Sequence, residues 1–228
     1  EAAKGGVILL CQPHNPTGSI ATREELEGVA EIAARHGNPV ISDEIHAALT
    51  MPGRASVAFA DAAPGLADQT ITVASATKPF NLPGLRLAWL VAGTADLAAG
   101  LDKVPFLKRY GYSSIGFPAT RAALTQGGPW LDELRRHLSA RQALLSGLLE
   151  TNLPEARWSA PDATYLAWID LRAYGLDDPA AAMLEAGVAL SPGKQFGKEG
   201  SGFVRLNLAA HEATLIEIVE RMGRALSH

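Results

Sequence analysis

Short apolar runs bounded by turn residues fill the first hundred positions, and longer helical repeats fill the rest. Val7-Ile8-Leu9-Leu10-Cys11 is continuously apolar, as expected of a strand buried on both faces in the centre of a parallel sheet. Pro13 and Pro16 stop it. Thr22-Arg23-Glu24-Glu25 predicts a helix start, because a threonine cap with glutamate three residues on forms a capping box. Leu26, Val29, Ala30 and Ala33 then share one face, and Gly37 ends the helix. Pro39-Val40-Ile41-Ser42 is a second strand, Thr70-Ile71-Thr72-Val73-Ala74 a third, and Leu87 to Gly93 a fourth apolar run. This alternation of strand and helix predicts an α/β fold with a mostly parallel sheet covered by helices.

The character changes near Gly127-Gly128-Pro129. Trp130 to Glu150 reads as one long helix, with Leu131, Leu134, Leu138, Leu145 and Leu149 at helical spacing and destined for the core. Tyr165 to Leu171 alternates like a strand, Ala180 to Ala186 is a short helix, Phe203 to Leu208 a strand, and His211 to Leu226 a closing helix. The pattern predicts two domains, residues 1–127 and 128–228, the second an α+β domain that includes the interdomain helix.

Composition narrows the function. The 228 residues are 47% hydrophobic and 19% charged, an ordinary globular balance. A net charge of −4 without a basic block argues against a nucleic-acid surface. One cysteine, Cys11, allows no internal disulfide and fits a cytoplasmic setting. No apolar run reaches the roughly 18 residues of a membrane helix. The six histidines are scattered and show no metal-ligand spacing.

The candidate chemistry sits just past the strands. Asn15-Pro16-Thr17-Gly18 is a turn with an amide that can donate. Asp43 follows the second strand, where a carboxylate can hold a proton on a ring nitrogen. Lys78, in Ser75-Ala76-Thr77-Lys78-Pro79-Phe80-Asn81-Leu82-Pro83-Gly84-Leu85-Arg86, leaves the third strand's tip, where α/β sheets place their chemistry. An amine there can attack a carbonyl. Ser75 as a hydroxyl donor and Arg86 as a forked cation suit a phosphate. Each residue also has a plainer use: Asp43 as a helix cap, His46 at a core edge, Arg205 paired with a glutamate, and Ser75 and Thr77 as turn hydroxyls. Cys11, His14 and Tyr165 read as packing or solvent-facing.

Taken together, Asn15-Pro16-Thr17-Gly18, Asp43-Glu44-Ile45-His46, Ser75-Ala76-Thr77-Lys78 with Arg86, and Phe203-Val204-Arg205-Leu206-Asn207 resemble the fold-type-I, class I and II PLP-dependent aminotransferase superfamily. The wording Pro13 to Gly18, Ser42 to His46, and Lys78-x-Phe80-Asn81-Leu82-x-Gly84-Leu85 is similar to its cystathionine β-lyase branch of C–S lyases. The resemblance implies pyridoxal 5'-phosphate (PLP) as cofactor, joined to Lys78, which would then serve as base at the substrate Cα. It implies Asp43 on the pyridine nitrogen, Asn15 on the 3'-oxygen, and His46 where many relatives use a tyrosine. It further implies Ser75, Thr77 and Arg86 on the phosphate, and Arg205 on the substrate carboxylate. The reaction would be α,β-elimination from an S-substituted cysteine. Amino-group transfer, or an aminotransferase-like domain of a transcriptional regulator, remain open alternatives. The resemblance also implies a homodimer, and a family first third that the sequence lacks. A parallel sheet without its first strands is expected to expose an apolar edge.

Overall fold

The computed structural model describes residues 5–105, 111 and 113–226. They form two compact units: residues up to His14 with Ser19–Leu134, and Asn15–Gly18 with Arg135 onward.

The first unit carries β1 (Ile8–Cys11), α1 (Arg23–His36), β2 (Val40–Asp43), α2 (Phe59–Ala62), β3 (Thr70–Ala74), β4 (Trp89–Ala92), α3 (Ala95–Leu101) and α4 (Gly116–Gln126). The sheet order is β1-β2-β3-β4. The first three strands are parallel, with Cys11 opposite Asp43 and Asp43 opposite Val73, so their carboxyl ends share one edge. β4 runs antiparallel, Trp89 facing Ala74. No crossover helix separates β3 from β4, so the chain turns back at the carboxyl edge instead of returning to the other end.

α1 begins as its sequence predicts. Thr22 Oγ1 accepts from the Glu25 amide at 3.2 Å, and Glu25 Oε2 accepts from the Thr22 amide at 2.7 Å. Such a cap stabilises by about 1 kcal/mol. Gly37 closes the helix in the left-handed conformation, at φ 64°. Leu26 and Ala33 of α1 pack with Val40, Phe59, Ala62 and Leu66, and Ile8 and Leu10 lean on this cluster. β1 is an edge strand among the described residues, in line with the expected exposed apolar edge. Ile8 and Leu10 point toward α1, while Val7 is 60% and Leu9 73% exposed on the alternate positions. A continuous apolar run marks two apolar faces, but it does not say what covers the second.

The second unit carries most of α5 (Gly128–Asn152), then β5 (Arg157–Trp158), β6 (Leu166–Asp170), α6 (Pro179–Glu185), β7 (Ser191–Pro192), β8 (Phe203–Asn207) and α7 (Glu212–Leu226). Its antiparallel sheet has the order β5-β6-β8-β7. Ala167, Ile169, Val204 and Leu206 form one buried face. Leu145 and Leu149 of α5, Met183 of α6, and Leu215, Val219 and Met222 of α7 cover it. Burying each of the larger side chains contributes about 1.5–3 kcal/mol. The opposite face carries Trp168, Asp170, Phe203 and Arg205, and it bears the unit's polar chemistry. Among the described residues no helix is long and apolar enough to cross a membrane.

Candidate functional site

In the first unit, six candidate residues gather at the carboxyl edge of the sheet. Asp43 is the last residue of β2, and His46 lies three positions on, 7% exposed, at the start of a single 3₁₀ turn. Asp43 does not cap a longer helix. Its Oδ1 accepts from the Ile45 amide at 3.1 Å, a local turn that leaves Oδ2 without a hydrogen bond among the described residues. Glu44 faces the other way, taking hydrogen bonds from the Ser42 hydroxyl at 2.9 Å and the Phe59 amide at 3.0 Å. That division fixes which of two adjacent carboxylates stays available.

Ser75 and Thr77 follow β3 directly. The Ser75 hydroxyl donates to the Leu87 carbonyl at 2.6 Å, accepts from the Thr77 amide at 3.0 Å, and lies 2.7 Å from the Thr77 hydroxyl. Lys78 comes next, half-buried, and its Nζ makes no hydrogen bond or ion pair among the described residues. The segment around it is braced. Phe80 and Leu82 amides donate back to the Ala76 and Thr77 carbonyls, and the Trp130 indole donates to the Pro79 carbonyl at 3.3 Å. Arg86 is exposed and left-handed, at φ 50°, a backbone state that an arginine adopts only when the turn demands it. It too makes no ion pair among the described residues.

Asn15 and Arg205, 190 residues apart in sequence, meet in the second unit. Arg205 Nη1 donates to Asn15 Oδ1 at 2.9 Å, and Nη2 donates to the Ser191 hydroxyl at 3.1 Å. With Oδ1 occupied as acceptor, the Asn15 amide nitrogen is the end left to donate elsewhere. The guanidinium carbon sits 4.7 Å from the Phe196 ring centroid. Arg205 has no carboxylate partner among the described residues, so the glutamate pairing does not occur. Burial pushes its guanidinium below the ordinary value, and Tyr165 pulls back upward. Burial likewise raises the Tyr165 phenol, against the opposing charge of Arg205. A desolvated cation with no counter-ion is arranged to receive an anion.

The Asn15–Gly18 turn is held at both ends. The His14 amide donates to the Ser19 carbonyl at 2.9 Å, and within the second unit the Ala163 amide donates to the Gly18 carbonyl at 3.0 Å. Gly18 has φ +70°, and a Cβ there would overlap Pro161, so only glycine suits the position.

Residues 1–222 match the family described as aminotransferase class I and II. The chain belongs to that family. Three similar proteins place this family member more closely. A Mycobacterium leprae protein is 44% identical over 233 residues, covering 96% of the chain and 57% of that protein. Cystathionine beta-lyase PatB of Bacillus subtilis is 37% identical over 228 residues, covering 97% and 58%. The crystal structure of the PLP-bound C-S lyase from Staphylococcus hominis superposes with a TM-score of 0.90 at 30% identity, covering 97% of the chain and 58% of that structure. The chain thus spans somewhat under three-fifths of these relatives' length. For this aminotransferase-family chain, sequence reasoning missed Ser191 and Phe196 beside Arg205. The alternation of β8 points Arg205 off the core face, but its neighbours come from a four-residue 3₁₀ turn and a two-residue strand with no pattern of their own.

Proposed function

We propose that the protein works as a PLP-dependent carbon–sulfur β-lyase, converting cystathionine or another S-substituted cysteine, with water, to a thiol, pyruvate and ammonia. The observation that carries this reading is Lys78: a half-buried amine with no partner among the described residues, on the carboxyl edge that also bears Asp43 and the Ser75–Thr77 hydroxyls. The donor set fits the cofactor. Lys78 would hold it covalently, Asp43 Oδ2 would keep the ring nitrogen protonated, and Ser75, Thr77 and Arg86 would take its phosphate. The Asn15 amide would reach its 3'-oxygen, with His46 beside the ring. When bound, the cofactor supplies an electron sink for the pair left at Cα.

Arg205 takes the substrate carboxylate in a fork and so sets the direction of the Cα–H bond. Asn15 and Ser191 hold that fork in place. The Lys78 amine would take the Cα proton, and the sulfur substituent would leave from Cβ as thiolate. In this reading the first unit is a partial PLP-binding large domain and the second the small domain. The protein acts in the cytoplasm as a homodimer, in keeping with its single cysteine and the family likeness.

Amino-group transfer needs the same residues and differs only in where the proton returns. The test is product analysis on the full-length protein with cystathionine, with and without 2-oxoglutarate. The lyase reading expects stoichiometric thiol and pyruvate that do not depend on the oxo acid. Glutamate formation without thiol would replace it with the transferase.

A further inference from the structure

A cavity of about 320 Å³ opens on the polar face of the second unit's sheet, lined by Trp168, Asp170, Phe203, Arg157 and Thr17. We propose that it receives the sulfur substituent of the substrate and selects one that is flat beside the sulfur and carries a carboxylate at its far end. The proposal rests on the lyase reading and on Arg205 holding the α-carboxylate.

Three observations tie the cavity to Arg205. Trp168 is the direct cross-strand partner of Arg205, so the two side chains stand on one face. The Phe196 ring that carries the Arg205 guanidinium meets Trp168 edge-on at 5.5 Å, and Trp168 stacks on Phe203 at 5.1 Å and 12°. The turn whose Asn15 fixes Arg205 places Thr17, two residues on, at the cavity. A step of two residues along a strand is about 7 Å. An amino acid anchored by its carboxylate at Arg205 therefore brings its side chain to the Trp168–Phe203 floor, where a flat group stacks.

Charge sets the far end. Asp170 is already committed, since the Arg172 Nε and Nη2 donate to its two oxygens at 2.9 and 2.6 Å. Arg172 also lies over the Phe203 ring, 4.9 Å from its centroid. Arg157, directly opposite Asp170 across β5 and β6, makes no hydrogen bond or ion pair among the described residues. The charge of Arg157 also acts on Asp170, but the hydrogen-bonding capacity of that carboxylate is taken by Arg172, and the Arg157 guanidinium keeps its donors for an anion in the cavity.

The experiment compares S-methylcysteine, S-phenylcysteine and S-(carboxyphenyl)cysteine on the full-length protein and its Arg157→Gln and Trp168→Leu variants, with binding of the two aryl compounds measured by calorimetry alongside turnover. Arg157 is exposed, so its replacement leaves the fold intact. The expected result is KM and Kd for the carboxyphenyl compound about 5-fold below those for the phenyl one, a gap that Arg157→Gln closes, as suits one exposed charge pair. Trp168→Leu weakens both aryl compounds several-fold more than it weakens S-methylcysteine. Equal binding of the two aryl compounds, or an Arg157→Gln effect shared by all three, overturns the proposal. Failure to release pyruvate from any compound refutes the lyase reading instead, and the calorimetric comparison still decides the cavity.

Discussion

The two units hold their candidate chemistry in opposite ways. In the second, Arg205 is tied on one nitrogen by Asn15, on the other by Ser191, and across its face by Phe196. In the first, Lys78 Nζ, Arg86 and Asp43 Oδ2 make no hydrogen bond or ion pair among the described residues, though the backbone beneath them is well braced. On the proposed reading the difference separates two tasks. A group that orients a transient substrate benefits from being fixed in advance. Groups that would share one resident cofactor would obtain their partners from it. The cores differ too: among the described residues the second unit's cluster, its sheet included, has fifteen buried residues against seven in the first unit's, where Leu9, Leu90 and Val91 stay exposed.

The comparison breaks most sharply at Lys78. Lys78→Ala should lower kcat by on the order of 10²–10⁴ from loss of the base alone, while calorimetric melting of the second unit stays unchanged. An active variant would move the chemistry elsewhere. Next comes core packing: Leu215→Ala should destabilise the second unit by about 2–5 kcal/mol, since Leu215 is fully buried under its sheet. Urea unfolding followed at Trp158 and Trp168 reads this. A loss below about 1 kcal/mol would show that this core is less self-sufficient than its packing indicates.

Arg205→Lys comes third. One ammonium cannot serve Asn15, Ser191 and a carboxylate as the fork does. KM for amino-acid substrates should rise about 10- to 100-fold, the worth of one charged hydrogen bond, with a smaller change in kcat. A change confined to kcat would contradict a carboxylate-orienting role. The smallest effect belongs to Asp170, whose carboxyl Arg172 holds below the usual range. A depressed folded value gives stability that is present above the unfolded carboxylate range and lost as acid protonates the folded group. Asp170→Asn should flatten that part of the stability–pH curve, measured by urea midpoints, with a small loss at neutral pH that vanishes as acid protonates Asp170 in the parent.

Much of the fold is legible because local and long-range signals agree. The Thr22–Glu25 box, the Gly37 stop and the alternation in Leu166–Asp170 each name an element that forms. α4 is not legible, because Phe117 and Leu124 are exposed and erase the one-sided pattern that marks a helix. The direction of β4 is decided by the turn around Lys78 and not by its own apolar residues. At the site, the strand-tip residues can be read from motif spacing. The contact between Asn15 and Arg205 cannot, since nothing local to either residue encodes a partner 190 positions away.

The central claim is that Lys78 carries the cofactor. It is tested most directly by treating the full-length protein, loaded with PLP, with borohydride and locating the resulting phosphopyridoxyl group by peptide mass spectrometry. The account predicts a single modified lysine, Lys78, and no modification in Lys78→Ala. A modified Lys103 or Lys194 in place of Lys78, or no adduct at all in a protein that retains activity, would contradict it.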